Sequence, residues 1–394
     1  MSVSLAAQQA QEVTYVPAPR PVTTDYQIGA MYFPGWRQPD HFGWQKIEPF
    51  PERKPLLGYY DEGNPEVADW EIKWCLEHGI SYFVYCWYRR RDDVGKPVSP
   101  ETLHIGHAIH QGLFHAKYRD KFHYAIMWEN ANAGGVASLD DMMQNLLPFW
   151  ITNYFKDPGY LKVDNKPVLY IWDCKKFAEN LGGFAQMHAA LDSMRQACRN
   201  AGFNGLIVIG EAHMTAMRNV KEGGCDYGFA YSLGADKQRA SNEEAIQVQI
   251  NELQGWKNAN ILPFIPTATM GRDAMPWARP NDPRTPWLDP KIMARWKLTP
   301  EEFTRVLVNV KSLMDQLPSD SLGHRMLLLD NWNEWGEGHY IAPHAEYGFG
   351  YLQAVRKVFT KQDNKPDYRT PESLGLGPYD SLYRQYKEQH PANK

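Results

Sequence analysis

The sequence predicts a single (β/α)8 barrel, and three observations predict it. Eight short apolar runs, at residues 28–33, 80–87, 123–128, 167–172, 206–210, 227–231, 262–267 and 325–329, alternate with amphipathic stretches. The runs are continuous rather than alternating in polarity, as strands covered on both faces require. At 394 residues the chain is long enough to bury a core of that size. A doubly wound open sheet is the competing architecture. It calls for a glycine-rich phosphate turn after the first strand, and Pro34, Gly35, Trp36 and Arg37 stand there instead.

The elements follow in order. Residues 1–26, with Pro17, Pro19 and Pro21, read as an N-terminal arm or linker, 27–360 as the barrel, and 361–394 as an extension packing on its outside. Helices are expected near 65–78, 138–154, 184–201, 241–259 and 299–316. Asn64 with Pro65, Ser138 ahead of Asp140 and Asp141, and Thr299 ahead of Pro300, Glu301 and Glu302 supply helix starts. Trp70 and Trp74, four apart on the first helix, read as core. His104, His107, His110 and His115 recur at near-helical spacing. A polar outer helix before the third strand accounts for them better than a metal-binding face does.

Composition narrows the function classes. The formal net charge is -4, so no basic footprint for nucleic acid is present. No apolar run reaches membrane-spanning length. Cys75, Cys86, Cys174, Cys198 and Cys225 form no C-x-x-C pair, and an odd count argues against a disulfide framework. Residues 5–10 resemble the small-residue end of a signal peptide. A periplasmic or secreted location is therefore expected, with a cytoplasmic one as the alternative.

A barrel carries its chemistry at the C-terminal strand ends. Those ends hold Tyr32 and Trp36, Trp87, Trp128 with Glu129 and Asn130, Asp173, Glu211, Tyr231, Arg272 with Asp273, and then Trp332, Asn333 and Tyr340 around Glu334 and Glu337. Aromatic faces beside carboxylates, amides and an arginine suit a sugar-binding cup, so all these residues are candidate substrate contacts. His213, His339 and His344 are further candidates for hydroxyl contacts. Arg89, Arg90 and Arg91 are either a solvated basic turn or a site for an anionic sugar. Glu334 and Glu337 are the candidate catalytic pair, because neighbouring carboxylates in an aromatic setting push their pKa values apart. Asp173 and Glu211, at the ends of adjacent strands, are a second possible pair, working through a covalent intermediate.

The run Trp332-Asn-Glu-Trp-Gly-Glu-Gly338, followed by Tyr340-Ile-Ala-Pro343 and Tyr347-Gly-Phe-Gly-Tyr351, resembles glycoside hydrolase family 99. It resembles the WbsX-like proteins of bacterial polysaccharide clusters more closely. Ala30-Met-Tyr-Phe-Pro34 is similar to the opening strand of that group. Two departures stand out. The stretch after the third strand reads Trp128-Glu-Asn-Ala-Asn132, and Gly336 stands where family 99 members carry His. The resemblance implies a retaining glycoside hydrolase that needs neither metal nor organic cofactor. The sugar 2-hydroxyl attacks C1 to give a 1,2-anhydro intermediate, with Glu334 as base and Glu337 as acid/base. It also leaves two other expectations open: glycosyl transfer in surface-polysaccharide assembly, and a non-catalytic glycan-binding barrel.

Overall fold

Eight parallel strands close on themselves. The computed structural model describes residues 14–37, 41, 43–213, 216–235 and 237–391. The strands are β1 (Gln27–Tyr32), β2 (Ile80–Arg89), β3 (His123–Trp128), β4 (Lys166–Ile171), β5 (Ile207–Glu211), β6 (Tyr227–Phe229), β7 (Thr267–Thr269) and β8 (Met326–Asp330). They pair in chain order from β1 to β6, and β8 pairs with both β1 and β7. The β6–β7 seam is made by the Gly228–Phe264 bridge, where Gly228 N–H donates to Pro263 O and Ile265 N–H to Gly228 O. The expected (β/α)8 barrel is the fold observed.

Strand seven is shorter and later than its apolar run, which spans 262–267. Pro263 and Pro266 have no N–H to give, so a regular ladder forms only past them, at Thr267–Thr269. Elsewhere the runs and strands agree within two residues at most ends, because continuous burial on both faces leaves little freedom. Leu327, Leu328 and Leu329 of β8 have no exposed surface at all.

The outer layer holds α1 (Pro65–Glu77), α2 (139–155, with wider π-type turns), α3 (Cys174–Leu181), α4 (Phe184–Asn200), α5 (Met217–Glu222), α6 (Asn242–Ala259), α7 (Pro300–Met314) and α8 (Gly350–Phe359). The starts are capped as the sequence suggests. Asn64 accepts from Glu66 N, Ser138 from Asp141 N, and Thr299 forms a reciprocal capping box with Glu302. Trp70 and Trp74 are buried.

The histidine-rich crossover between β2 and β3 is helical, as expected, but it is not a polar face. A π-type turn at Ala108–Gly112 runs into a 3-10 turn at Leu113–His115, with His107, Ile109 and Leu113 buried. His107 is buried with Nε2 3.2 Å from Glu62, and His110 Nε2 lies 2.9 Å from the Tyr154 hydroxyl. These rings are spent on separate internal partners, so the spacing reflects neither a solvated face nor a shared metal face.

The described part of the N-terminal segment lies against the barrel: Val22 N–H donates to Leu76 O, and the Tyr15 hydroxyl to Asp69. Past residue 360, Tyr379 bonds Glu66 on α1. Tyr383 of α9 (Ser381–Gln389) bonds Glu48. The signal-peptide remnant expected at residues 5–10 lies outside the described residues. Among the described residues, no helix is long and apolar enough to cross a membrane. All five cysteines are free and buried.

Candidate active site

The chain beyond β8 explains how two glutamates three apart are brought together. Trp332 N–H donates to Met31 O, and the Asn333 amide bonds both the N–H and the carbonyl of Phe33, so the segment continues alongside β1. It then folds back as a tight hairpin in which Asn333 pairs with Tyr340 and Glu334 with His339. Gly338 sits in the left-handed region (φ 76°), with the Asp273 backbone where a Cβ would stand. Asp273 N–H donates to the Glu337 carbonyl at 2.7 Å. The Gly271–Asp273/Arg295–Lys297 hairpin is thereby docked onto the turn that bears Glu337.

Both glutamates line a cavity of about 490 Å³ at the C-terminal mouth of the barrel. Its walls include Phe33, Tyr88, Trp172, Tyr231, Trp277 and Trp287. Phe33, Tyr88, Trp172, Trp277 and Trp287 were not singled out as contacts from the sequence. Trp172 ends its apolar run beside Asp173, and that signal could have found it. Trp277 and Trp287 belong to the long loop after β7, where no periodicity marks them.

The two carboxylates sit in opposite environments. Glu337 Oε2 receives Arg272 Nη1, the Tyr231 hydroxyl at 3.0 Å and His339 Nε2 at 2.9 Å. His339 is fully buried and leans on Asp330 through Nδ1 at 3.1 Å. Burial works against charge on this ring, yet Asp330 and Glu337 hold its pKa up at about 9. Asp330 is itself fixed by Ser232 N–H and the Thr269 hydroxyl, from the ends of β6 and β7. Burial alone would raise the Glu337 pKa. Arg272 and His339 overcome it and keep this carboxyl well below the usual carboxylate range.

Glu334 is the more enclosed of the two, and its Oε1 is buried without a hydrogen-bond partner. Desolvation, then the Glu337 charge, raise its pKa clearly above that of an ordinary glutamate. At neutral pH the proton of the pair therefore rests on Glu334. The resemblance implies the reverse for a resting base at 334 and acid at 337.

Of the expected substrate contacts, Glu129 and Tyr231 line this cavity with Glu334 and Glu337, and Arg272 reaches it through Glu337. The others do not, and each has a structural task. Trp36 donates to Asn333 O and stacks between Trp44 and Trp277. Trp87 and Trp128 point outward and pack on Trp150 under α2. Trp332 bonds Glu71 of α1, and Tyr32 packs on Phe83 and Tyr85. Asn130 and Asp173 clasp each other's backbone and side chain, and Asp173 caps α3. Asp273 pairs with Arg53 and Arg295 and, with Tyr340, lines a neighbouring hollow instead.

Glu211 lies by His213, 3.5 Å away, outside the cavity lining. The Asp173/Glu211 pair is thus not assembled there. His339 and His344 are buried supports rather than hydroxyl contacts. The departure at Gly336 has a physical counterpart. A Cβ there would fall about 2.0 Å from the Trp277 indole, which occupies the space of the missing side chain.

Among the described residues, Asp61, Glu62 and His107 are the group close enough to hold a metal ion. They are already engaged with Arg37, the Trp36 N–H and each other.

A sequence profile described as Glycosyltransferase WbsX matches residues 138–355, more than half of the chain. The chain belongs to the WbsX family. Curated relatives from two strains of Xanthomonas campestris pv. campestris, described as "Uncharacterized protein WxcX", are each 22% identical over 376 residues. These cover 90% of this chain and 50% of the relative, so the chain spans about half the length of the curated relatives it matches. Among solved structures, the WbsX barrel is similar to a GH99 endo-alpha-mannosidase from Bacteroides thetaiotaomicron. The TM-score is 0.58 at 15% identity, covering 85% of this chain and 97% of that one. It is also similar to a "Glycoside hydrolase-like protein", with TM-score 0.60 at 18% identity over 88% and 98%. At these identities the likeness establishes the shared barrel fold.

Proposed function

We propose that this protein is a glycoside hydrolase that cleaves a polysaccharide with retention, using Glu334 and Glu337 as its reactive pair. The observation that carries the reading is the contrast between those two carboxylates within one aromatic cavity. One is enclosed and protonated, and the other is clamped as an anion. Pairs whose environments drive their protonation apart are suited to simultaneous acid and base work.

The 2-hydroxyl route needs one carboxylate to take the hydroxyl proton and another to protonate the leaving oxygen. We assign the donor role to Glu334, whose Oε1 has no competing partner. We assign the anionic role to Glu337, which takes the 2-hydroxyl proton. Three donors converge on its Oε2, and Oε1 takes no hydrogen bond from the described residues. Tyr231 and Arg272 position that carboxylate, and Trp172, Trp277 and Trp287 offer faces for sugar rings. In each catalytic cycle the 2-hydroxyl oxygen bonds C1 as the glycosidic C1–O bond breaks, its proton passing to Glu337 and the Glu334 proton to the departing oxygen. Water then adds at C1, giving a proton to Glu334 while Glu337 returns its own to the opening 2-oxygen.

The test is incubation of wild type, Glu334→Gln and Glu337→Gln with bacterial polysaccharides and α-mannans, scoring new reducing ends. Release by wild type alone is expected, with retained configuration by NMR. Transfer of a sugar from a nucleotide or lipid-linked donor, without hydrolysis, would overturn the reading in favour of the transferase activity in the family description.

A further inference from the structure

The cleft continues past the carboxylate pair. A second hollow of about 290 Å³ is lined by Arg89, Arg90 and Arg91, and it shares His41, Tyr88 and Asn132 with the main cavity. The three arginines differ in what neutralises them. Arg89 is buried and holds both oxygens of Asp141 at 2.7 and 2.9 Å. Arg91 donates through Nε and Nη2 to the Asn132 carbonyl, which fixes its position but leaves its charge uncompensated. Arg90 is exposed and has no hydrogen-bond or carboxylate partner among the described residues. Acids on the same turn do not cancel this. Asp93 pairs with Lys96 at 3.6 Å, and neither Asp92 nor Asp93 lines the hollow.

The main cavity repeats the pattern. Lys46 and Arg279 both line it, both are exposed, and neither makes an ion pair among the described residues. Its acids are spent. Glu129 accepts from the backbone N–H groups of Ala131, Asn132 and Ala133 and from the Asn132 amide. Glu337 is matched by Arg272 and His339, and Glu334 carries a proton. Four cations without an ion pair among the described residues thus gather at one cleft in a chain whose net charge is -4, although Arg279 lies within electrostatic reach of Asp282. A merely soluble surface would scatter them among acids.

We propose that the cleft takes an acidic glycan, a chain containing uronate sugars, with Arg90 and Arg91 holding one carboxylate and Lys46 and Arg279 another. The guanidinium fork matches a carboxylate edge-on, and cations lining two adjoining hollows suit a chain rather than a single sugar. The proposal deepens the glycan-cleaving reading and rests on it for the sugar. It does not depend on which glutamate donates the proton.

The test uses the full chain as Glu334→Gln, so that binding is read without turnover. Calorimetry compares oligouronates with neutral and with sulfated oligosaccharides of equal length. Oligouronates are expected to bind best, and to weaken several-fold between about 50 and about 300 mM salt. Arg90→Gln combined with Arg91→Gln should weaken them about tenfold while neutral chains are unaffected. Lys at both positions should restore part of the loss, and melting curves should match, since both side chains are exposed.

Tighter binding of sulfated chains would overturn the carboxylate assignment. Neutral chains binding as well as acidic ones, no acidic chain binding, or insensitivity to the double substitution would overturn the proposal outright. A wild-type protein that releases reducing ends from neutral glycan with a salt-independent KM keeps the hydrolase and removes the acidic substrate. Binding of oligouronates with no cleavage by wild type does the reverse.

Discussion

Replacing each glutamate by its carboxamide should give two different kinds of damage. Glu334→Gln removes a proton donor whose Oε1 makes no hydrogen bond. The amide is nearly isosteric and breaks no clasp, so the melting temperature should stay close to wild type. Loss of a general acid lowers kcat by about 10²–10⁴-fold on a natural linkage. On a dinitrophenyl glycoside of the same sugar, whose leaving group departs without a proton, the loss should shrink to less than about tenfold.

Glu337→Gln is different. It takes the anion from between Arg272 and His339 and leaves one buried and one partly buried cation with Asp330 as a remaining counter-charge. Breaking a buried pair from one side costs about 3–5 kcal/mol, so this variant should melt well below wild type. It should be inactive on both leaving groups, because the proposed base for the 2-hydroxyl is gone. Reducing-end release, chromogenic release and calorimetric melting read these three quantities. Rescue of Glu337→Gln, but not Glu334→Gln, by the activated leaving group would refute the exchanged assignment and restore the order that the resemblance implies.

Further outcomes follow from the same geometry. Glu334 has a folded-state pKa above its unfolded value. Its contribution to stability is therefore full below the ordinary carboxylate range and is lost as pH rises through the raised pKa. The melting temperature of Glu334→Gln should accordingly gain on wild type as pH goes from about 5 to about 9, and wild-type activity should show its alkaline limb in that window. Arg272→Lys keeps a cation but loses the guanidinium fork over Glu337. The acidic limb of the pH profile should move upward, and kcat should fall more than KM rises. Gly336→Ala puts a methyl where the Trp277 indole lies, so KM should rise with the melting temperature little changed, read by glycan titration. Asn333→Ala removes both hydrogen bonds that clasp Phe33, and should cost about 2–3 kcal/mol by denaturant unfolding together with most activity.

The barrel was legible because its signal is redundant. Each strand must be apolar on both faces, so each run marks itself, and eight in series leave few other folds. The glutamate pair was legible because a short motif keeps its residues within one turn of chain. The binding surface was much less so, and the reason is geometric. A strand end says how high a side chain stands but not whether it faces the mouth or the helices, and successive side chains point opposite ways. Tyr32, Trp87 and Trp128 lie at the right height and face outward, while Phe33 and Tyr88, each one residue on, and Trp172, at the end of β4, line the cavity. Trp332 and Trp335 flank the pair in sequence, yet both are fully buried, because the hairpin that presents Glu334 turns its indoles into the core. The second layer around Glu337 was harder still. Asp330, His339, Tyr231 and Arg272 come from the ends of β8, β6 and β7 and meet only when the barrel closes. It is this layer, invisible in the motif, that holds Glu337 as an anion and underlies the proposed exchange of roles between the two glutamates.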